Sequence, residues 1–394
     1  MEEQRLPACH ISNLPMDIII EILGSLPDLR TLFSAIRTCC HIYRCFKQRK
    51  SVTITSIFIR MCRETDPPEE EPLLHALALN NSALAEALLR TDRREVDVNA
   101  RDSDKRTALS IAAEKGYTAV VQLLLQTADV DANSQDCYGC TPLLKAAECG
   151  HGSVVRLLLE NSGINVDLAN CGGETPLSRG AQQGHAQIVK MLVETGKPDV
   201  NSRDTRYDLS PIGWAAMSGH VEVVRVLLES DSGRRRNQEI DLNTPDKEYR
   251  RTPLFWASHY GHSAVMRLLL ATGRVEVLGL DEDSFDVNCR IPILAAAQEG
   301  DEELMEVLLR SEQVDVNSST WDDGRTPLSL AAQFGHEGIV KLLLETGKVR
   351  VNAKDSERSW TPLTWAKRGR YEGVVQLLLE AGGVETLDWV IKHE

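Results

Sequence analysis

The chain has 394 residues, of which 42% are hydrophobic and 26% charged, and its formal net charge is −14. This composition is typical of a folded soluble protein and excludes a disordered or fibrous chain. The acidic balance disfavours binding to nucleic-acid phosphates or to an anionic membrane, because both need basic protein surface.

Two further features predict where the protein resides. The first residues, MEEQRLPACH, lack the apolar core of a signal peptide, and no apolar run is long enough to span a bilayer. The ten cysteines are not spaced as in a small disulfide scaffold, so we expect reduced thiols. A cytoplasmic or nuclear location, or both, follows.

Residues 10–50 predict a small helical domain with two Leu-Pro pairs. Ile18, Ile22, Leu23 and Leu26 follow helical spacing between Pro15 and Pro27. A second helix is expected after Pro27 and a third over about 40–47. About 40 residues are few for independent stability, so this domain is expected to need a partner or the rest of the chain.

This segment resembles the F-box, in particular that of fungal F-box/ankyrin proteins. The resemblance rests on Leu14-Pro15, Ile18, Ile22-Leu23, Leu26-Pro27-Asp28-Leu29, Leu32 and Cys40-His41-Ile42-Tyr43, with Tyr43 where the family often has Trp. In that family the F-box binds the Skp adaptor of a cullin–RING ubiquitin ligase. The resemblance therefore implies these adaptor-binding residues: Leu14, Pro15, Ile18, Ile22, Leu23, Leu26 and Pro27. The alternative is a plain helical cap on the following domain.

Residues 51–70 connect this segment to the rest of the chain. Residues 51–63 are apolar and carry no pattern that assigns them a fold. Residues 66–71, DPPEEE, combine two prolines with a run of like charges, which favours an exposed linker.

From residue 71 onward the sequence is repetitive. Thr-Pro-Leu recurs five times, with three variants and a degenerate first copy, Glu71-Pro72-Leu73. The eight clear copies begin at Thr107, Thr141, Thr175, Ser210, Thr252, Ile291, Thr326 and Thr361. A period near 34 residues predicts stacked supersecondary units, here eight clear ones and a degenerate N-terminal one over 71–394.

Each unit predicts two helices. Thr or Ser caps the first helix, Pro occupies its first position, and an Ala pair permits close packing. A glycine is expected to end this helix in the left-handed conformation, at Gly116, Gly150, Gly184, Gly219, Gly261, Gly300, Gly335 and Gly369. A second helix follows, rich in Val and Leu, and then a short extended segment ends in Asn, as in Val98-Asn99.

This unit resembles the ankyrin repeat, and the resemblance covers about residues 70–394. The fold class expected is all-α: an ankyrin-repeat solenoid preceded by the F-box-like domain. The family's usual His after Thr-Pro-Leu is absent from every unit, which is expected to alter local hydrogen bonding and leave the fold intact.

The sequence offers no catalytic or metal motif. Cys137-x-x-Cys140 has no second Cys/His pair at zinc spacing and reads as a chance occurrence. The histidine after the glycine recurs with the repeat in five units, so it is expected to fill one structural position. We predict no enzyme activity and no cofactor.

The resemblance implies that a partner binds along the concave face, built from hairpin tips and first helices. Aromatic residues are enriched at interface hot spots, and five lie just before the tripeptides: Tyr138, Tyr207, Tyr249, Trp321 and Trp360. Another three occupy a position after the tripeptide where packing in the core is expected: Trp214, Trp256 and Trp365.

The function expected is that of a protein-interaction module, as substrate receptor of a cullin–RING ubiquitin ligase. The F-box would bind the Skp-type adaptor and the repeats would bind the unknown target protein. The alternative is an ankyrin scaffold or inhibitor with no link to a ligase.

Overall fold

The computed structural model describes residues 71–91, 96–231, 239–248, 250–276, 291–311, 314–320 and 322–386, without the side chains of 91 and 231. Within these ranges the chain forms helices and turns with no strand, apart from one isolated bridge between Arg101 and Thr107. Among the described helices, none has both the length and the apolar character that crossing a bilayer would require.

The helices come in pairs, one pair to each repeat. The first four pairs are α1 (Pro72–Ala78) and α2 (Ser82–Thr91), α3 (Ala108–Lys115) and α4 (Thr118–Leu125), α5 (Pro142–Glu148) and α6 (Gly152–Glu160), and α7 (Pro176–Gln182) and α8 (Ala186–Glu194). The remaining pairs are α9 (Pro211–Met217) and α10 (Val221–Asp231), α11 (Pro253–His259) and α12 (Ser263–Ala271), α13 (Pro292–Glu299) and α14 (Glu302–Arg310), α15 (Pro327–Phe334) and α16 (Glu337–Glu345), and α17 (Pro362–Gly369) and α18 (Glu372–Glu380).

The chain divides into two compact units, Met1–Cys171 and Gly172–Glu394. Inside each unit, first helices pack on first helices of the next repeat, and second helices pack on second helices. In the first unit, for example, α3 packs on α5 and α4 on α6, and in the second unit α15 packs on α17 and α16 on α18. Each unit is therefore a stack in which every repeat buries its apolar faces against its neighbours.

The first helices begin as the tripeptides predict. At seven starts the Thr or Ser hydroxyl accepts a hydrogen bond from the amide three residues on, for instance Leu144 N to Thr141 Oγ1 at 3.1 Å. Ile291 lacks this cap because its side chain has no oxygen. The missing family His changes the local bonds as expected: Ser178 stands there and its Oγ accepts from Thr175 N at 2.9 Å.

The left-handed residue that ends each first helix is the predicted glycine in every clear repeat but the last. Gly335, for example, has φ 77°. The prediction for Gly369 is wrong: α17 continues through Gly369, and Arg370 adopts the left-handed conformation with φ 60°. Counting from the cap explains this, because Arg370 lies nine residues after Thr361, as Gly335 does after Thr326.

The second helices supply the core between repeats. In α6 the side chains of Val154, Val155 and Leu158 are completely buried, and the corresponding residues of the other inner repeats are buried too. Such a stripe at i, i+1 and i+4 places one face of each helix against its neighbours. Most of the apolar burial in each unit thus lies on the stacking axis, not inside any single repeat.

The Asn that closes most of the described repeats bonds to the end of the next repeat. Asn317 Nδ2 donates to the Lys348 carbonyl at 2.9 Å, and its Oδ1 accepts from Arg350 N at 2.7 Å. The same pair of bonds is made by Asn99, Asn133, Asn201, Asn243 and Asn352. These Asn side chains fix the spacing of successive repeats within each unit.

Candidate functional site

The hairpin tips before the first helices are joined by backbone hydrogen bonds. In the first unit, Cys137 N donates to Asp104 O and Cys171 N to Tyr138 O, both at 2.8 Å. In the second unit the same bond links Thr205 N to Gly172 O at 2.8 Å, Lys247 N to Tyr207 O at 3.1 Å and Ser356 N to Asp323 O at 2.8 Å. The tips of each unit therefore form a ladder. The backbone bonds fix the position of each tip, whereas the residue types at the tips differ between repeats.

A buried aspartate shapes several tips, and sequence reasoning missed it. The Asp204 carboxylate accepts from the amides of Arg206, Tyr207 and Leu209 and from the Trp214 indole at 2.7–3.1 Å. Asp102, Asp136, Asp246 and Asp355 bind their own tips in the same way. An Asp five or six residues before the helix cap recurs in the sequence, and that spacing was the available signal.

Tyr138 is the predicted binding residue that the structure leaves most open. It lies at the tip before α5 with its side chain 66% exposed. Asp136 Oδ1 accepts from its amide at 2.9 Å, so the backbone beneath the ring is held. An exposed tyrosine on a fixed backbone provides contact area for a partner and loses little conformational entropy on binding.

Tyr207, the next predicted residue, is half-buried. Its ring packs edge-on against Trp214 with centroids 5.7 Å apart, and the Arg206 guanidinium lies over it at 4.9 Å. Only part of this ring faces solvent. Tyr207 therefore combines a packing contact with a partly open face.

Trp360, another of the predicted binding residues, is buried and only 6% exposed. It packs edge-on against Trp365 with centroids 4.7 Å apart, between the guanidinium groups of Arg358 and Arg368. These neighbours come from the tip and from α17, so the burial depends on a local fold that the tripeptide pattern does not describe. The remaining two predicted aromatic residues, Tyr249 and Trp321, lie outside the described residues.

The three tryptophans after the tripeptides pack as predicted, to different extents. Trp214 and Trp256 are buried in one apolar cluster with Leu209, whereas Trp365 is half-buried. The Nε1 of Trp214 donates to Asp204, and that of Trp365 donates to Asp355 at 2.9 Å. Each of these indoles therefore links the packing of its helix to the geometry of the hairpin tip before it.

Two exposed aromatic residues at the ends of first helices were not singled out from the sequence. Tyr260 is 52% exposed and stacks on Trp256 with centroids 6.0 Å apart, and exposed Phe334 stacks on His336. Both directly precede a left-handed glycine, where other repeats have Cys149, Gln183 or Ser218. An aromatic residue at that repeat position was the signal that could have identified them.

The recurring histidines fill a structural position, as predicted. His151 Nε2 donates to the Glu114 carbonyl at 2.9 Å, and His220, His262 and His336 make the equivalent bond to the preceding repeat. In the described part of the chain, no three His, Cys, Asp or Glu side chains are grouped so that they could hold a metal ion.

The two cysteines of Cys137-x-x-Cys140 differ in environment. Cys137 is exposed, whereas Cys140 is buried. Burial raises the pKa of the Cys140 thiol to about 11. A thiol with so high a pKa is protonated at neutral pH and is a poor nucleophile and a poor metal ligand.

The predicted adaptor-binding residues lie outside the described residues, because all of them fall between Leu14 and Pro27. They remain a prediction from the sequence. In the first unit, the tip ladder with Tyr138 is a candidate binding surface. In the second unit, the candidates are the tip ladder and the exposed rings of Tyr260 and Phe334 at the ends of first helices.

A family model described as ankyrin repeats, in three copies, matches residues 45–136, 128–204, 197–278 and 293–388. Among curated proteins, none matches the chain significantly.

Proposed function

Because the chain belongs to the ankyrin-repeat family and is therefore a protein-interaction module, we propose that it is the substrate receptor of a cullin–RING ubiquitin ligase. Its repeats hold the target protein, and residues 10–50 hold the Skp-type adaptor. The chain itself holds no catalytic residue in this proposal. It promotes the reaction by bringing the target close to the ligase.

The observation that carries the binding role is the ladder of hairpin tips in each unit. Adjacent tips are fixed by backbone bonds of about 2.8–3.1 Å, yet their exposed side chains differ from repeat to repeat. A rigid backbone limits the entropy lost on binding, and varied side chains allow specificity. Tyr138 is an exposed aromatic anchor at a tip of the first unit, and Tyr260 is an exposed aromatic residue at the end of a first helix in the second unit.

The adaptor half of the proposal is supported by the sequence of residues 14–27. Leu14-Pro15, Ile18, Ile22-Leu23 and Leu26-Pro27 follow F-box spacing ahead of the repeats. An apolar strip of this kind binds by burying its side chains in a groove of the partner.

The test is a binding assay of the full chain with a purified Skp adaptor. Leu14→Ala combined with Pro15→Ala is expected to weaken adaptor binding by about thirtyfold, since losing a central apolar anchor costs about 2 kcal/mol. Circular dichroism on the same samples should show folded repeats. Tyr138→Ala is the control, because it changes the target surface and should leave adaptor affinity intact.

Three results would speak against parts of the proposal. If the unmodified chain binds no Skp-type adaptor, the ligase role is rejected and a scaffold or inhibitor role takes its place. If the double variant binds as well as the unmodified chain, the assigned contact residues are wrong. If the double variant unfolds throughout, residues 14–27 cap the repeats and do not bind a partner.

The target half is tested separately by crosslinking and mass spectrometry of bound proteins. Tyr138→Ala should remove a protein from the set captured by the unmodified chain if the target binds the first unit, and Tyr260→Ala tests the second unit in the same way. Retention of every captured protein by both variants would place the target elsewhere.

A further inference from the structure

In the last described repeat, one apolar face of the second helix is exposed. In earlier repeats the equivalent face is buried against the repeat that follows. In α16 both Val340 and Leu343 are completely buried, whereas in α18 the corresponding Val375 is only half-buried. Leu379, one residue past the buried Leu378, is 53% exposed. Helix α18 thus presents an apolar stripe, Val375 and Leu379, with no further described repeat stacked on it.

This stripe lies in an open cavity of about 490 Å³. Lys367 and Arg370 from the end of α17 line one part of it, and Glu372 and Glu380 of α18 line another. The floor is apolar and the walls carry both signs of charge. Such a groove suits a short amphipathic segment with mixed charges.

The chain that follows α18 is held beside this cavity. Asn352 Oδ1 accepts from Val384 N at 2.7 Å, and Thr364 Oγ1 accepts from Thr386 N at 3.0 Å. Glu385 forms an ion pair with Lys367, which itself lines the cavity. The direction of the chain is therefore fixed up to Thr386, next to the groove.

Residues 387–394, LDWVIKHE, come directly after this anchor. Leu387, Trp389, Val390 and Ile391 supply apolar side chains, and Asp388, Lys392 and Glu394 supply both charges. Eight residues reach at most about 26–29 Å, while the nine-residue helix α18 is about 13.5 Å long. The segment is therefore long enough to run along the whole groove.

We propose that residues 387–394 dock in the groove of α18 and cap the repeat stack. The segment covers Val375 and Leu379 in place of a further repeat. This proposal is independent of the proposed function, since it concerns the end of the stack and not the tips.

The experiment uses the full chain and measures hydrogen exchange of the α18 amides. Ile391→Asp is expected to speed exchange across Glu372–Glu380 by about tenfold or more, because a carboxylate cannot be buried against Leu379. His393→Asp is the matched control and should leave exchange unchanged. Leu379→Asp should have the same effect as Ile391→Asp, and the double variant should be no worse than either alone.

Two results would overturn the proposal. One is unchanged exchange in Ile391→Asp, or effects of the two substitutions that add. The other is a dimer in light scattering that Leu379→Asp dissociates and Ile391→Asp does not, which would make a second copy the occupant.

A second measurement distinguishes the loss of docking from unfolding of the variant. The chain has six tryptophans, so 5-fluorotryptophan labelling gives six ¹⁹F resonances, and Trp389→Phe assigns one of them. Leu379→Asp should shift the Trp389 resonance and leave those of Trp214 and Trp256 in place. An unmoved Trp389 resonance would mean that the segment does not contact α18.

Discussion

The ring of His336 lies directly over Gly300 of the preceding repeat. A Cβ added at Gly300 would be 2.5 Å from His336 Nδ1, and Gly300 itself has φ 74°. The His336 Nε2 donates to the Gln298 carbonyl at 3.0 Å, which fixes the ring in this position. Glycine is required here for two reasons, the left-handed backbone and the close approach of a ring.

Gly300→Ala is therefore expected to destabilise the protein by about 2–5 kcal/mol. Left-handed backbone costs an L-residue about 1–2 kcal/mol, and forcing the ring aside adds about 1–3 kcal/mol. Gly347→Ala is the matched control, because Gly347 has φ 67° but nothing within 4 Å of an added Cβ, so only the backbone cost applies.

Equilibrium urea unfolding measures both variants. In the His336→Ala background, Gly300→Ala should cost no more than Gly347→Ala costs in the unmodified chain, because the ring is then absent. Equal losses for Gly300→Ala and Gly347→Ala would show that the ring contact has no energetic weight.

The same contact explains why the last repeat departs from the predicted pattern. Arg370 takes the left-handed position, with no described ring of a following repeat above it, so a side chain fits at the cost of backbone strain alone. The sequence has Gly369 one residue earlier, and the recurring glycine pattern therefore predicts the wrong residue. Counting from the Thr361 cap would have placed the position correctly, because the helix start fixes the register.

A second prediction concerns the buried carboxylate of Asp204. Asp204→Ala leaves the Leu209 amide and the Trp214 indole without their acceptor in a buried tip. The expected loss is about 2–6 kcal/mol, at about 1–3 kcal/mol for each buried donor. Thermal unfolding and hydrogen exchange at the tip would measure it.

Asp204→Asn keeps one acceptor oxygen and should fall between the unmodified chain and Asp204→Ala. A loss below about 1 kcal/mol for Asp204→Ala would mean that the tip does not depend on these bonds.

A third prediction addresses the stacking core. Leu158→Ala should cost about 2–5 kcal/mol, the usual range for truncating a fully buried leucine. Arg156→Ala, on the exposed face of the same helix, should change stability by less than about 0.5 kcal/mol. Urea unfolding that fails to separate the two variants would refute the assigned register of α6.

A fourth prediction concerns Cys140. Because its pKa is raised by burial from 9.0 to about 11, its thiolate at pH 8 is about a hundredfold scarcer than that of an ordinary thiol. Site-resolved mass spectrometry should therefore find Cys137 and Cys171 alkylated by iodoacetamide long before Cys140. Alkylation of Cys140 at the rate of Cys137 would contradict the burial.

The same shift affects stability at high pH. The folded pKa lies above the unfolded one, so the contribution of this thiol is complete below about pH 9 and is lost as pH rises towards about 11. In Cys140→Ala this step should be absent from the pH profile of the unfolding free energy.

How far the sequence predicts the structure depends on whether a feature repeats. The helix starts, the glycine turns, the histidine position and the buried second helices recur at one period, and apart from Gly369 the structure has them as predicted. The exposure of individual aromatic residues does not recur. Trp360 and Tyr138 both precede a tripeptide, yet one is enclosed by Arg358, Arg368 and Trp365 while the other faces solvent. Such differences arise from non-repeating neighbours, which a repeat pattern leaves out.

The longest spacing between tripeptides is the 42 residues from Ser210 to Thr252. The Asn201 side chain, just before Ser210, forms hydrogen bonds to residues near the end of this long repeat. Its Nδ2 donates to Glu239 O at 2.8 Å and its Oδ1 accepts from Asp241 N at 3.0 Å, the same bonds that Asn99 makes across a 34-residue spacing. The register between repeats is thus independent of how many residues lie between 231 and 239. Natural insertions, or an engineered tag or epitope, can be accommodated at this point while the flanking repeats keep their spacing.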